Sequence, residues 1–288
     1  MQVIRRRDFF THSTATVAAA GVTLSWAREL VADPLGLPIG CQVFPIREQL
    51  AADFEGTLRK IAAIGYRVIE FCSPPSFVNM GFASFVGMKA SEIREKIEQA
   101  GLRVVSCHYQ FSELKQHLEE RIEFAAKLGL KQMVVATLAI KPSATLDEWR
   151  RAADEMNTLG EGCRKAGIQL GFHNHGFEFQ RLGDVPIFDV LMRQFEPELV
   201  KSQFQVGNVL ALGFDPASYL EKYHGRFLSL HLQDWSAKTR QDVPVGQGDI
   251  DWKKLFLAAR LSHIEHYFVE MNMLAMIASY NYLHGLSV

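Results

Sequence analysis

The sequence has few cysteines, no excess of charge of either sign, and no apolar run of membrane-spanning length. Its four cysteines are far apart and form no CxxC pair, which argues against a disulfide framework or a zinc ribbon. Lys and Arg number 31 against 32 Asp and Glu, for a net charge of −1, so no broad field favours nucleic acid or anionic lipid. With 48% hydrophobic and 22% charged residues, the composition excludes disordered, collagenous and coiled-coil classes. We therefore expect a globular protein with neither a nucleic-acid partner nor a membrane-embedded part.

The first 27 residues have the layout of an export signal. Arg5 to Arg7 precede Phe9 and Phe10, and a short, weakly apolar stretch and small residues follow, which is typical of a cleavable signal peptide. An Arg pair followed by x-Phe-Phe resembles the twin-arginine signal, which a receptor reads as an address. This pattern predicts a signal peptide over 1–27, a linker over 28–36, and the twin-arginine export machinery as a partner. It places the mature protein in the periplasm or outside the cell, free of the membrane after cleavage.

One phrase recurs along the rest of the chain: an amphipathic helix, a glycine, then a β-rich apolar run. The four copies are AAIGYRVIEF (62–71), EQAGLRVVSCH (98–108), AKLGLKQMVVAT (126–137) and RKAGIQLGFHNH (164–175). Each glycine fits the left-handed position just past a helix end, and each apolar run fits a buried parallel strand. The repeat therefore predicts βαβ units.

Further strands are predicted at 37–44, 200–208, 226–235 and 266–271, which brings the total to eight. The intervening helices are predicted near 53–64, 89–100, 113–128, 147–166, 186–196, 215–223, 251–260 and 272–284. Eight βα units in about 250 residues predict an α/β protein whose single domain, 37–288, is a (β/α)8 TIM barrel. An open doubly wound sheet is the alternative, but no GxGxxG follows the first strand.

Polar side chains recur near the carboxyl ends of the predicted strands. In 228–233, Leu alternates with Ser229, His231 and Gln233, so His231 shares the inward face of its strand. The same parity selects Glu70, His108, Thr137, His173, His175, Gln205, His231 and Glu270. A core layer would not hold so many polar groups without partners, and barrel enzymes keep their sites at this rim. We therefore expect a functional site there.

The chemistry of these side chains suits a divalent metal. His173, Gln205, His231 and Glu270 follow consecutive strands, and imidazole with carboxylate binds Mn²⁺, Zn²⁺, Co²⁺ or Fe²⁺. A metal there would polarise a sugar carbonyl, and a carboxylate would move the proton next to it. Glu270 would serve as base and ligand, and Glu178, in the rim loop, is a second acid–base candidate or a carboxylate that orients a histidine.

Six phrases of the sequence resemble the xylose isomerase-like TIM-barrel superfamily of sugar phosphate isomerases and epimerases, and in particular its exported, twin-arginine branch. They are GYRVIEF (65–71), SCHYQF (106–111), LGFHNHGFEF (170–179), GRFLSLHLQDW (225–235), VGQGDIDWKKLF (245–256) and YFVEM (267–271). The resemblance implies one metal, usually held by Glu, Asp, His and Glu on strands five to eight. Carried over, these positions fall on His173, Gln205, His231 and Glu270, so two anionic ligands are replaced by neutral ones.

The loop after the seventh strand contains two glycines, Gly246 and Gly248. In the resembling family this loop borders the site, and glycine permits the backbone to approach a ligand closely. The alternative is a plain turn in which Asp251 caps the helix that begins at Trp252. The sequence leaves both readings open.

These observations predict an exported sugar isomerase or epimerase. It would act on a small carbohydrate substrate by transferring a proton next to a carbonyl. The remaining rim residues are expected to contact that substrate: Glu70, His108, His175, Gln205 and Trp235. A lyase or dehydratase on the same barrel is the first alternative, and a non-catalytic carbohydrate-binding barrel, favoured by Gln205, is the second. An endonuclease at abasic DNA sites would need several metals, more carboxylates and a basic face. A homo-oligomer stays open.

Overall fold

Eight parallel strands close into a barrel in the computed structural model, which describes residues 33–141 and 143–288. The strands are Gly40–Gln42, Val68–Cys72, Arg103–Tyr109, Gln132–Val135, Gln169–His173, Val200–Gln205, Phe227–Leu232 and His266–Val269. Each pairs with its neighbours in chain order, and the first also pairs with the eighth, so the ring is closed. The predicted (β/α)8 barrel is confirmed, whereas the predicted signal peptide lies outside the described residues.

Helices separate the strands and surround the barrel. They are Arg47–Ala52, Phe54–Ile64, Ala90–Gln99, Phe111–Leu128, Leu146–Lys165, Ile187–Gln194, Val206–Ala211, Pro216–Lys222, Trp252–Leu261 and Met273–His284. The recurring glycine does what its position predicted. At Gly129 φ is 85°, and its amide donates to the carbonyl of Ala126, which ends the helix and turns the chain into the fourth strand. No described helix has the length and apolar character needed to cross a membrane.

Alternation along the strands separates an apolar layer from a polar barrel interior. Leu228, Leu230 and Leu232 are fully buried on the face that packs against helices. Between them, Ser229 accepts a hydrogen bond at 3.0 Å from Nε2 of Gln203, its neighbour on the adjacent strand. The four cysteines are buried and unpaired, as expected from their spacing.

The sixth strand is shorter than predicted. It ends at Gln205, and a helix, Val206–Ala211, begins at once, so the predicted strand 200–208 extends three residues too far. Gly207 lies so close to Gln233 that a Cβ would come within 2.6 Å of Gln233 Cγ, which explains why glycine occupies the turn. The fifth strand likewise ends at His173, which leaves His175 in the following loop.

Two small antiparallel hairpins in the described part of the chain, absent from the sequence-based prediction, follow strands at the carboxyl end of the barrel. One pairs Arg181–Leu182 with Val185–Pro186, and the other pairs Asp234–Ser236 with Gln241–Val243. Strands of two or three residues carry too little alternation to be read from sequence. The second hairpin contains Trp235, which is half-buried.

Candidate active site

The buried carboxylate of Glu70 accepts hydrogen bonds from several strands inside the barrel. Its Oε1 accepts hydrogen bonds from Ser106 Oγ at 2.6 Å and Gln203 Nε2 at 2.7 Å, and its Oε2 accepts one from Gln42 Nε2 at 3.1 Å. All four side chains are fully buried. Donors from three other strands thus compensate the cost of burying a charge.

The imidazole of His231 lies between two carboxylates. Its Nε2 is 2.6 Å from Glu70 Oε2 and its Nδ1 is 3.2 Å from Glu270 Oε2. Burial disfavours a charged imidazole, but the attraction of Glu70 and Glu270 outweighs it and raises the pKa of His231 to about 9. Burial also disfavours charge on Glu270, yet His231 keeps the pKa of that carboxyl below its usual value. Without a metal, the site therefore holds an imidazolium between two carboxylates.

Gln205 lies beside Glu270, as the parity of the sixth strand implied. Its Nε2 donates to Glu270 Oε2 at 2.9 Å and to Gln233 Oε1 at 2.5 Å. Its buried Oε1 has no hydrogen-bond partner within the described part of the chain. Gln205 thus offers Glu270 a donor where an aspartate would have offered repulsion.

Three buried imidazoles meet next to this pair. His108, His173 and His231 each offer a nitrogen, and these nitrogens lie within 4.8 Å of one another. Buried Nδ1 of His173 lacks a partner among residues 33–141 and 143–288. Burial first, and the neighbouring imidazoles second, hold the pKa of His173 well below its usual value, so this ring is neutral. The neutral Nδ1 of His173 and the free Oε1 of Gln205 both carry lone pairs that could bind a divalent cation. The residues of the site therefore fit such an ion.

The remaining predicted residues lie in the loops and the hairpin that follow the barrel strands. The ring of His175 packs on His173, with centroids 4.9 Å apart, and stacks on Phe177 at 5.6 Å. Trp235 is half-buried in its hairpin. The side chain of Thr137 accepts a hydrogen bond from the amide of Ala139 at 3.2 Å, which shapes the loop after the fourth strand.

Glu178 lies in the segment that follows the fifth strand, where a short 3-10 helix, Phe177–Phe179, buries its side chain fully. Its Oε2 accepts a hydrogen bond from the amide of His175 at 2.8 Å, and its Oε1 has no partner among the residues that the structure describes. The structure therefore brings together Glu70, His108, His173, Gln205, His231 and Glu270, and it places Glu178 behind the loop that carries His175. The roles assigned to these residues remain predictions.

Ionisation of Glu178 is expected to make the protein less stable as pH rises. Burial raises the pKa of this carboxyl from 4.5 to about 8. Below about pH 4.5 both the folded and unfolded states hold the proton; between about 4.5 and 8 only the folded state does, so stability falls with pH and the loss is complete above about 8. Glu178→Gln cannot ionise, so its advantage over the parent should grow through this window. Urea unfolding of both proteins across about pH 5 to 9 checks it; parallel pH profiles would contradict it.

The aspartate of the HLQDW phrase locks the loop after the seventh strand. Asp234 is fully buried and accepts hydrogen bonds from the amides of Gly246 at 3.0 Å and Ile250 at 3.2 Å, and from Trp252 Nε1 at 2.7 Å. A Cβ at Gly248 would lie 2.4 Å from Asp234 Oδ1, so glycine is required there. The paired phrases around Asp234 and Trp252 are therefore explained by loop structure, which sets the position of the adjacent hairpin.

Asp234→Ala is expected to destabilise the protein by about 3–5 kcal/mol, because several buried donors lose their acceptor at about 1–3 kcal/mol each. Asp251→Ala is the matched control. Asp251 accepts a hydrogen bond from Lys254 N as the exposed N-cap of Trp252–Leu261, and its loss should cost about 1 kcal/mol. Urea unfolding measures both; equal losses in the two variants would show that Asp234 is an ordinary cap.

Comparison with known proteins places this chain in a family. The profile of the "Xylose isomerase-like TIM barrel" family matches residues 58–273. Inosose dehydratase 2 of Bacillus cereus is 26% identical over 172 residues, which cover 52% of this chain and 55% of that protein, so the chain spans about half the length of this curated relative.

Two solved structures show the same fold. A sugar phosphate isomerase/epimerase from Parabacteroides distasonis superposes with a TM-score of 0.74 at 23% identity, over 86% of this chain and 94% of that one. The IOLI protein, solved with a bound zinc atom, gives a TM-score of 0.64 at 12% identity, over 86% of this chain and 94% of that one. Because the family profile covers most of the sequence and the barrel closes as that family requires, the chain belongs to the xylose isomerase-like TIM barrel family.

Proposed function

We propose that this protein is an enzyme that modifies a sugar or cyclitol ketone by moving the proton on the carbon next to its carbonyl. One observation carries the proposal: an ionised carboxylate, Glu270, stands at the mouth of the barrel against His231 and Gln205. Its side chain is 19% exposed, whereas those of Glu70 and His231 are fully buried. Of these three groups, Glu270 is the one that a substrate can reach.

The chain's own groups suit proton transfer. Attraction to His231 keeps the pKa of Glu270 low, so the carboxylate is free to accept a proton from carbon. Isomerisation follows when that proton returns to the former carbonyl carbon and the hydroxyl proton passes to the former carbonyl oxygen. Epimerisation follows when a proton returns to the original carbon from the opposite face. Gln205 Nε2 and His231 Nδ1 both contact Glu270 Oε2, and they fix the orientation of this carboxylate.

A divalent cation would fit beside Glu270, with His173, His231 and Gln205 Oε1 as the further groups able to hold it. When bound, such an ion polarises the substrate carbonyl and so acidifies the neighbouring C–H. The zinc atom in the IOLI protein supports the presence of a metal in this fold, and Zn²⁺, Mn²⁺, Co²⁺ and Fe²⁺ all suit the nitrogen and oxygen donors.

Dehydration is a second candidate, because the curated relatives include inosose dehydratases. It begins with the same proton abstraction, but a hydroxyl on the next carbon then leaves as water with a proton, and a double bond forms. The two reactions therefore share Glu270 as base and differ in their products.

Proton exchange in D₂O tests the proposal. The protein is incubated with ketopentoses, ketohexoses and inososes, and ¹H NMR follows loss of the signal next to the carbonyl. We expect exchange with at least one substrate, and the product distinguishes an isomer, an epimer or a dehydrated ketone. Saturation-transfer NMR that shows sugar binding without any exchange would favour the carbohydrate-binding barrel instead.

We also propose that the mature protein works in the periplasm or outside the cell, as a member of the twin-arginine branch of its family. The Arg pair before Phe9 and Phe10, with the small residues near Ala27, supports this. An exported protein meets free carbohydrate rather than nucleic acid, in keeping with its net charge of −1.

A further inference from the structure

We propose that the divalent cation of this protein is held by three imidazoles, those of His108, His173 and His231, with Glu270 at the open side. The inference rests on the metal of the proposed function. It changes the ligand set: His108, on the third strand, replaces the residue of the sixth strand to which the family resemblance pointed. It also narrows the metal to one that prefers nitrogen ligands.

The position of the three histidines in the barrel supports this set. They lie on the third, fifth and seventh strands, and inward side chains from alternate strands of a TIM barrel form one layer. Their ring centroids form a nearly regular triangle, with distances of 5.1 Å from His108 to His173, 4.6 Å from His173 to His231 and 5.3 Å from His108 to His231. Gln205 lies on an even strand, outside this layer.

Buried hydrogen-bond partners orient two of the rings, as they do for metal-binding histidines in general. Glu70 Oε2 lies 3.1 Å from His108 Nε2 and 2.6 Å from His231 Nε2, and Gln203 Oε1 lies 2.6 Å from His108 Nε2. A carboxylate or carbonyl on one ring nitrogen fixes the tautomer and makes the other nitrogen a better ligand. The third ring, His173, keeps a buried Nδ1 without a partner among the described residues.

The chemistry of Gln205 makes it a weaker ligand than the imidazoles. Its Nε2 is engaged by Glu270 and Gln233, and its free Oε1 is a neutral amide oxygen, which suits metals that prefer nitrogen less well than imidazole does. A bound metal would displace the proton of His231, and three imidazoles with one carboxylate then favour Zn²⁺, Co²⁺ or Fe²⁺ over Mg²⁺ and Ca²⁺, which prefer oxygen.

Metal titration of the chelator-treated protein tests the ligand set without any substrate. Co²⁺ absorption and Zn²⁺ calorimetry should show one tight site in the parent. His108→Gln should weaken binding by more than the roughly 10–100-fold that results from losing a residue that only orients a ligand. His117→Gln is the matched control, since it removes an exposed imidazole outside the cluster, and its affinity should stay within about 3-fold of the parent. Gln205→Ala should behave like the control.

Imidazole ¹⁵N spectra of the parent keep the test decisive should His108→Gln fail to fold. Zn²⁺ should shift the nitrogens of His108, His173 and His231 and leave those of His175 unchanged. Loss of affinity in Gln205→Ala but not in His108→Gln, or unshifted His108 nitrogens, would overturn the proposal, as would the absence of any tight site. Metal binding with no proton exchange on any ketone would instead count against the proposed reaction alone.

Discussion

Glu270→Gln is expected to lower the rate of proton exchange next to the substrate carbonyl by about 10²–10⁴-fold, the usual contribution of a general base. The substitution keeps the shape of the side chain but removes the lone pair and charge that accept the proton. Glu270 is also the partner of His231 Nδ1 at 3.2 Å, so the amide leaves this imidazole with one carboxylate in place of two. Exchange in D₂O, measured at saturating substrate, gives the rate.

Glu265→Gln is the matched control for that experiment. Glu265 sits just before the eighth strand, at the amino end of the barrel, where it accepts a hydrogen bond from Gln132 Nε2 at 2.8 Å. The exchange rate of Glu265→Gln should stay within about 2-fold of the parental rate, because Glu265 lies at the opposite end of the barrel from the site. If Glu270→Gln retained most of the parental rate, the proton acceptor would be another group.

Strand alternation accounts for what could be predicted of the site. In 228–233, leucines alternate with polar residues, so the inward direction of His231 could be read directly from sequence, and the closed barrel confirms the fold that this reading assumed. The glycine after each helix marked four of the strands in the same way. Local patterns sufficed because each βα unit repeats one arrangement.

The contacts across the barrel could not be predicted, because they depend on layers and register rather than on local pattern. The pairing of the second strand with the third changes register between Ile69 and Glu70, so Glu70 is paired with Ser106 rather than with Val105. His108 and Gln203 are 95 residues apart in sequence and 2.6 Å apart in space. Glu178 illustrates the other limit: past the end of a strand, parity no longer says which way a side chain points.

Gln205→Asp is expected to tighten divalent-metal binding by about 10–100-fold, at some cost to the metal-free protein. Without metal, the new carboxylate would face Glu270 where an amide now donates at 2.9 Å, and two charges about 4 Å apart repel by about 4 kcal/mol at an effective dielectric near 20. A cation between the two carboxylates attracts both of them. This attraction, less the cost of desolvating the charges, tightens metal binding. Calorimetry with Mn²⁺ measures the affinity, and urea unfolding with and without metal measures the stability.

Gln233→Asp is the control for the added charge, because Gln233 contacts Gln205 rather than Glu270 and is itself buried. A carboxylate one contact further away attracts the ion less strongly. The metal affinity of Gln233→Asp should therefore rise by less than that of Gln205→Asp. Glu270→Gln should shift affinity in the opposite direction, since it removes the carboxylate at the open side of the site. If Gln205→Asp bound Mn²⁺ no better than the parent and Glu270→Gln bound it no worse, the rim would not be a metal site. The three imidazoles would then be a buried polar layer of the barrel, and the carbohydrate-binding alternative would account better for the mouth above them.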